Sequence, residues 1–206
     1  MKTVVSLMAA LSFFAVSAAS ADETAELRDR LQEIDTLQAQ FEQRVYDERD
    51  LLQEELQGEL TLKRPHYLHW ETSQPDHSVM VADGESVWYY NSFIEQLSIF
   101  DQAQSLEQNP MLVLLSDSDE AWSDFAVTRE NDYWIIRDRT QGQVTVALSV
   151  AFDEEGLLNR LRVDDGQGQI SVFELSEVTL NQNVAADKFT FSAPEGAEID
   201  DQRTNP

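Results

Sequence analysis

Apolar residues recur at every second position along much of this chain, and a period of two admits strands with one buried face and little else. The stretch from Gly58 to Asn91 shows it best. Leu56, Leu60 and Leu62 share one row, which then meets Arg64 and, beyond Pro65, resumes with Leu68 and Trp70. An arginine thus stands in an otherwise apolar row. If its guanidinium is buried it must find carbonyls or a carboxylate opposite it, because an unpaired buried charge is costly. If it lies at a strand end it can instead reach out to water. Asp83-Gly84 between apolar alternations marks a hairpin, with a further strand over 86–91.

The same period predicts strands over 52–63, 66–73, 77–82, 94–100, 125–129, 133–138, 144–153, 157–164 and 168–179. Turns are expected at Asn131-Asp132, Glu155-Gly156 and Asp165-Gly166. Upstream, Leu27, Leu31 and Ile34 form one stripe of a helix over Thr24 to Ile34. From Thr36 the period changes, since Leu37, Ala39, Phe41, Gln43 and Val45 alternate; a continued helix would also align Leu37 with Phe41, so that boundary stays open. Pro110 to Leu115 reads as a short helix, apolar on every side through Met111, Leu112, Val113, Leu114 and Leu115. Such a helix is either wholly buried or covers something apolar. Over 185–191, Phe189 and Phe191 fall on one side, and order is expected to end near Pro194 and Gly196. About ten strands and two short helices in one domain indicate a mainly β (α+β) fold, a curved antiparallel sheet or incomplete barrel.

Residues 1–21 have the pattern of a secretory leader. Lys2 supplies the positive start, Val4 to Val16 an apolar run too short for a membrane span, and Ala19-Ser20-Ala21 a small-residue cleavage site. The mature protein, a single domain over 22–206, then begins at Asp22. The chain has no cysteine, so neither a disulfide nor an acylated N-terminal cysteine is expected. Its formal net charge of −25 repels nucleic acid and anionic headgroups alike.

Catalytic and metal chemistry find little support. The three histidines are His66, His69 and His77, and strand geometry points His66 and His69 to opposite faces. Gly84-Glu85-Ser86-Val87-Trp88 lacks the second glycine of a hydrolase elbow, and Asp164-Asp165-Gly166 does not continue as a calcium loop. No enzyme activity and no cofactor are expected. Aromatic residues are more informative: Phe41, Tyr67, Trp70, Trp88, Tyr89, Tyr90, Phe93 and Phe100 concentrate in neighbouring strands, with strand 86–91 aromatic on both faces. They suit an ordinary sandwich core or the lining of an apolar cavity.

Lys63-Arg64-Pro65, Trp70, Gln74-Pro75-Asp76, Asp83-Gly84, Trp88, Tyr90-Asn91 and Phe93 follow one another in a recognisable order and spacing. So do Glu95-Gln96, Asn109-Pro110-Met111-Leu112, Lys188-Phe189-Thr190-Phe191, Pro194, Gly196 and Asp200-Asp201-Gln202-Arg203. In these the chain resembles the outer-membrane lipoprotein carrier proteins, the LolA family, over nearly all of its mature length. The resemblance implies an open antiparallel barrel whose apolar cavity is covered by a lid of short helices. It implies a monomeric periplasmic chaperone of Gram-negative bacteria. Such a protein accepts triacylated lipoproteins from an inner-membrane ABC transporter and delivers them to an outer-membrane receptor. Carried over to this sequence, it makes Arg64 a latch that donates to lid carbonyls near Leu31 and near Leu114 or Leu115. Leu31, Phe41, Leu68, Trp70, Trp88, Tyr90, Met111, Leu112, Leu114 and Leu115 would form the cavity and lid. Leu68 departs from the family, which has an aromatic residue there. The alternative implied by the same fold is a periplasmic protein that binds or senses free lipid or fatty acid.

Overall fold

The computed structural model describes residues 16–108, 113–114, 116, 118–139 and 146–203. Twelve strands form one sheet among them. The first six are β1 (Thr36–Tyr46), β2 (Leu52–Lys63), β3 (Tyr67–Gln74), β4 (Ser78–Asp83), β5 (Ser86–Asn91) and β6 (Gln96–Asp101). The others are β7 (Phe125–Glu130), β8 (Tyr133–Asp138), β9 (Ala147–Phe152), β10 (Leu158–Asp164), β11 (Ile170–Leu180) and β12 (Glu198–Asp201). The order across the sheet is β12-β6-β5-β4-β3-β2-β1-β11-β10-β9-β8-β7. Two meanders, β1–β6 and β7–β11, are therefore joined where β11 returns to pair with β1. All pairings are antiparallel except that of β12 with β6.

This topology produces a cover. The chain leaves β6 near one edge of the sheet and must next form β7 at the other edge, so it crosses a whole face on the way. The described residues of the crossing include α2 (Gln102–Gln108), Val113 in helical conformation and α3 (Asp119–Ser123). The sheet curls round the crossing as an open half-barrel, and Leu60, Leu68, Val113, Leu114, Trp122, Val127 and Ile136 join one buried cluster. From the N-terminal side, α1 (Val16–Gln32) packs on β7 and adds Leu27 and Leu31 to that cluster. The Arg30 guanidinium sits 5.0 Å from the Trp134 ring centre, and Arg129 lies 4.2 Å from the same ring, so cations flank the helix seat.

Several boundaries differ from expectation. The first helix is displaced from Thr24–Ile34 to Val16–Gln32, because the alanine-rich run before Thr24 is itself good helix sequence. Thr36 does mark the change of period, since β1 starts there. The strand count is twelve rather than about ten, and α2 and α3 are additional helices. Order does not end at Pro194 and Gly196: β12 follows and pairs with β6. The expected helix over 110–115 falls mostly outside the described residues, which retain Val113 and Leu114 from it.

Candidate functional site

The alternating rows deliver their side chains to the concave face as the period requires. Leu37, Ala39 and Phe41 of β1 share this face with Leu60 of β2, which pairs with Ala39, and Leu68 and Trp70 of β3 continue the surface. Phe41 and Trp70 stack with ring centres 4.5 Å apart, and Trp70 meets Phe173 edge-on at 5.2 Å. Gly58, directly opposite Phe41, makes this possible. A Cβ there would come within 2.6 Å of the Phe41 ring and run into the Glu71 carbonyl oxygen.

Arg64 follows the last residue of β2, at the rim of this face. Its backbone N–H donates to the Asp35 carbonyl at 2.9 Å, and its Nη2 donates to the Leu114 carbonyl at 2.6 Å. The half-buried arginine in the apolar row thus finds a main-chain carbonyl on the crossing segment. The Leu31 carbonyl accepts from the Ile34 N–H at 3.1 Å. Nearby, Asn181 staples the joint between α1 and β1: its side-chain oxygen accepts from the Asp35 N–H at 2.8 Å, and its Nδ2 donates to the Glu33 carbonyl at 2.9 Å.

Of the residues singled out from the sequence, the structure brings Leu31, Phe41, Leu68, Trp70 and Leu114 into one cluster, with Arg64 at its edge. Trp88 and Tyr90 are elsewhere. Val87 belongs to the concave cluster, so its neighbours on β5 point to the opposite, convex face. Met111, Leu112 and Leu115 lie outside the described residues.

On the convex side, Val79, Val81, Leu97 and Ile99 are buried as thoroughly as the concave residues. The C-terminal tail covers them. Phe189, in a 3-10 turn over Ala186–Phe189, packs against Tyr67 at 5.4 Å, and Phe191 lies 6.0 Å from Tyr90. Beyond them β12 pairs with β6, and Arg203 lies 5.6 Å from the Trp88 ring while donating to the Ser86 hydroxyl. The Trp88 indole donates to Asp83 at 2.7 Å. Partial burial pushes the Asp83 carboxyl up, but donors from Ser86 N–H, the Trp88 indole and Glu85 N–H outweigh it and hold the group below the usual carboxylate range. This second apolar layer was not foreseen, although Phe189 and Phe191 on one side of a tail were its visible trace.

His69 is on the convex side, below the tail, while His77 pairs with Glu71 at 3.0 Å. Burial, then the charge of Lys188, lowers the His69 pKa against the opposing pull of Glu71 and Glu59. Among the described residues no three His, Asp or Glu side chains are grouped to hold a metal ion.

An open, curled antiparallel sheet with an apolar face covered by a crossing segment defines a structural class, and solved structures have a similar fold. One is an uncharacterized conserved protein from Thermus thermophilus, with TM-score 0.51 and 15% identity, covering 89% of this chain and 99% of that one. Another is a DUF1329 family protein from Desulfovibrio piger, with TM-score 0.53 and 8% identity, covering 84% and 96%. Sequence comparison narrows the class. The family described as "Outer membrane lipoprotein carrier protein LolA" matches residues 32–192, and the chain belongs to that family. It is 35% identical to the outer-membrane lipoprotein carrier protein of Shewanella woodyi over 204 residues, 99% of this chain and 98% of the relative. The protein of that name from Idiomarina loihiensis is 34% identical over 203 residues, covering 98% of this chain and 100% of its own.

Proposed function

We propose that this member of the lipoprotein carrier family ferries outer-membrane lipoproteins across the periplasm, holding their acyl chains against the concave face. It takes triacylated cargo from an inner-membrane ABC transporter and passes it, as a monomer, to an outer-membrane receptor. Residues 1–21 serve as the export leader and are removed.

The physical problem sets the design. Each buried methylene contributes about 0.8 kcal/mol, so acyl chains cannot cross water bare, yet a site that kept that whole sum could not release them. The periplasmic step has no ATP to force release. A cover that closes on its own offers the solution, because closure competes with cargo and weakens the net grip.

The observation that carries this reading is the bond from the Arg64 guanidinium to the Leu114 carbonyl, which ties the rim of β2 to the crossing segment over the apolar cluster. Arg64 is read as the latch, and Leu31, Phe41, Leu68, Trp70 and Leu114 as the surface that cargo uncovers. Purified mature protein added to spheroplasts tests it. Newly made outer-membrane lipoproteins are expected in the soluble fraction. Their retention in the membrane, with free fatty acids bound to the protein instead, would overturn it in favour of a carrier of free lipid.

A further inference from the structure

We infer that Gln102 is the fixed root from which the cover swings, a positioning residue that acts through the turn bearing Arg64. This rests on the reading of the crossing segment as a cover that opens. Gln102 is the first residue of α2 and is only 4% exposed, unusual for a glutamine. Its side-chain Nε2 donates to the His66 carbonyl at 2.8 Å, and its Oε1 accepts from the Gly84 N–H at 2.9 Å. Its own N–H donates to the Glu85 carbonyl at 3.0 Å. One buried amide therefore clasps three places: the turn between β2 and β3, the β4–β5 hairpin and the start of the crossing. Asp101 reinforces it by accepting from the Ala103 N–H at 3.0 Å.

The geometry distinguishes two attachments of the crossing to one short turn. Gln102 holds it at His66, and Leu114 is held at Arg64. The two differ in kind. The Gln102 amide is itself buried, so breaking its two bonds would leave a buried donor and a buried acceptor without partners, which is costly. The Arg64 guanidinium, half-buried at the rim, can exchange the Leu114 carbonyl for water or cargo groups. Opening therefore breaks the Arg64 attachment and keeps the Gln102 one. The intact clasp also keeps the turn in place, so that Leu114 finds Arg64 again after release.

Backbone amide hydrogen exchange on the mature protein without cargo tests this with three variants. In Gln102→Met, exchange at Gly84, in α2 and at Leu114 is expected to rise about tenfold or more while β9 and β10 stay at the wild-type rate. Gln102→Glu keeps an acceptor for Gly84 but loses the donor to His66, so it should spare Gly84 and still loosen Leu114. Arg64→Leu should loosen Leu114 while Gly84 stays at the wild-type rate. In transfer to the receptor, Gln102→Met should match Arg64→Leu, and the double variant should be no worse than either. Two outcomes would overturn the inference: Leu114 unaffected by both Gln102 variants, or all strands loosened together, which marks plain loss of stability. If Arg64→Leu leaves Leu114 unchanged while the Gln102 variants loosen it, the latch falls and the root stands.

Discussion

The strands β3 to β6 carry an apolar layer on each face, and the two layers are covered in different ways. On the convex side the cover is built to stay. The tail adds a paired strand, places Phe189 and Phe191 on Tyr67 and Tyr90, and ends with Arg203 on Trp88. On the concave side the crossing segment lies over a larger apolar surface, and the tie at the Arg64 rim is a side-chain bond to a carbonyl. Main-chain pairing is lost only when a strand is stripped from its neighbour, whereas a side chain can change partners by rotating. Both covers hide comparable residues from water. In the proposed carrier mechanism the attachment, not the hydrophobicity, separates a face that remains shut from one that opens.

The sharpest way to break this contrast is to weaken the permanent cover. Phe189→Ala should cost about 3–5 kcal/mol, because its ring is almost wholly buried between the tail and the sheet. Urea unfolding should show a lower midpoint with an unchanged slope, and lipoprotein release per folded molecule should hold. Next, Asp83→Ala strands the indole and two backbone N–H groups and should cost about 1–3 kcal/mol in the same measurement.

Arg64→Leu should move the unfolding free energy by about 1.5–3 kcal/mol at most, the net worth of a hydrogen bond made by a charged group. The carrier should still load and yet fail to hand cargo to the receptor; normal transfer would remove Arg64 from the mechanism. The smallest effect concerns pH. His69 has a folded pKa below its unfolded value, so its contribution is complete above about 6.5 and is lost as pH falls through the folded pKa. Stability measured from pH 8 to pH 5 should decline slightly more in the wild type than in His69→Gln.

Much of the concave face was legible because its signal is local. The row Leu60, Leu62, Arg64, Leu68, Trp70 keeps phase through the Pro65 turn, and four of its members are packed in or against the cluster. Alternation tells which residues share a face, but not which face is the concave one. The resemblance puts Trp88 and Tyr90 in the cavity, and alternation alone does not correct it. Their cover comes from Phe191 and Arg203, about a hundred residues away, and no local period reports such a contact. β12 escaped notice because Glu198-Ile199-Asp200-Asp201 has one apolar residue and gains its place from a parallel partner. α3 did carry a signal: Ser118 caps it, accepting from the Ala121 N–H at 3.3 Å, with Asp119 and Glu120 in the first turn.

The chain has no cysteine of its own, so introduced thiols can be joined without competition. Residues 64 and 114 would be replaced by cysteine in one protein, and residues 90 and 191 in another. Each pair would be closed with a reducible cross-linker of matching span before release of lipoproteins from spheroplasts is measured. The protein locked at 64 and 114 should release none until the reductant is added, while the one locked at 90 and 191 should work as well as its reduced form. Undiminished release with the 64–114 link intact would contradict the claim that the concave cover must open for cargo to enter.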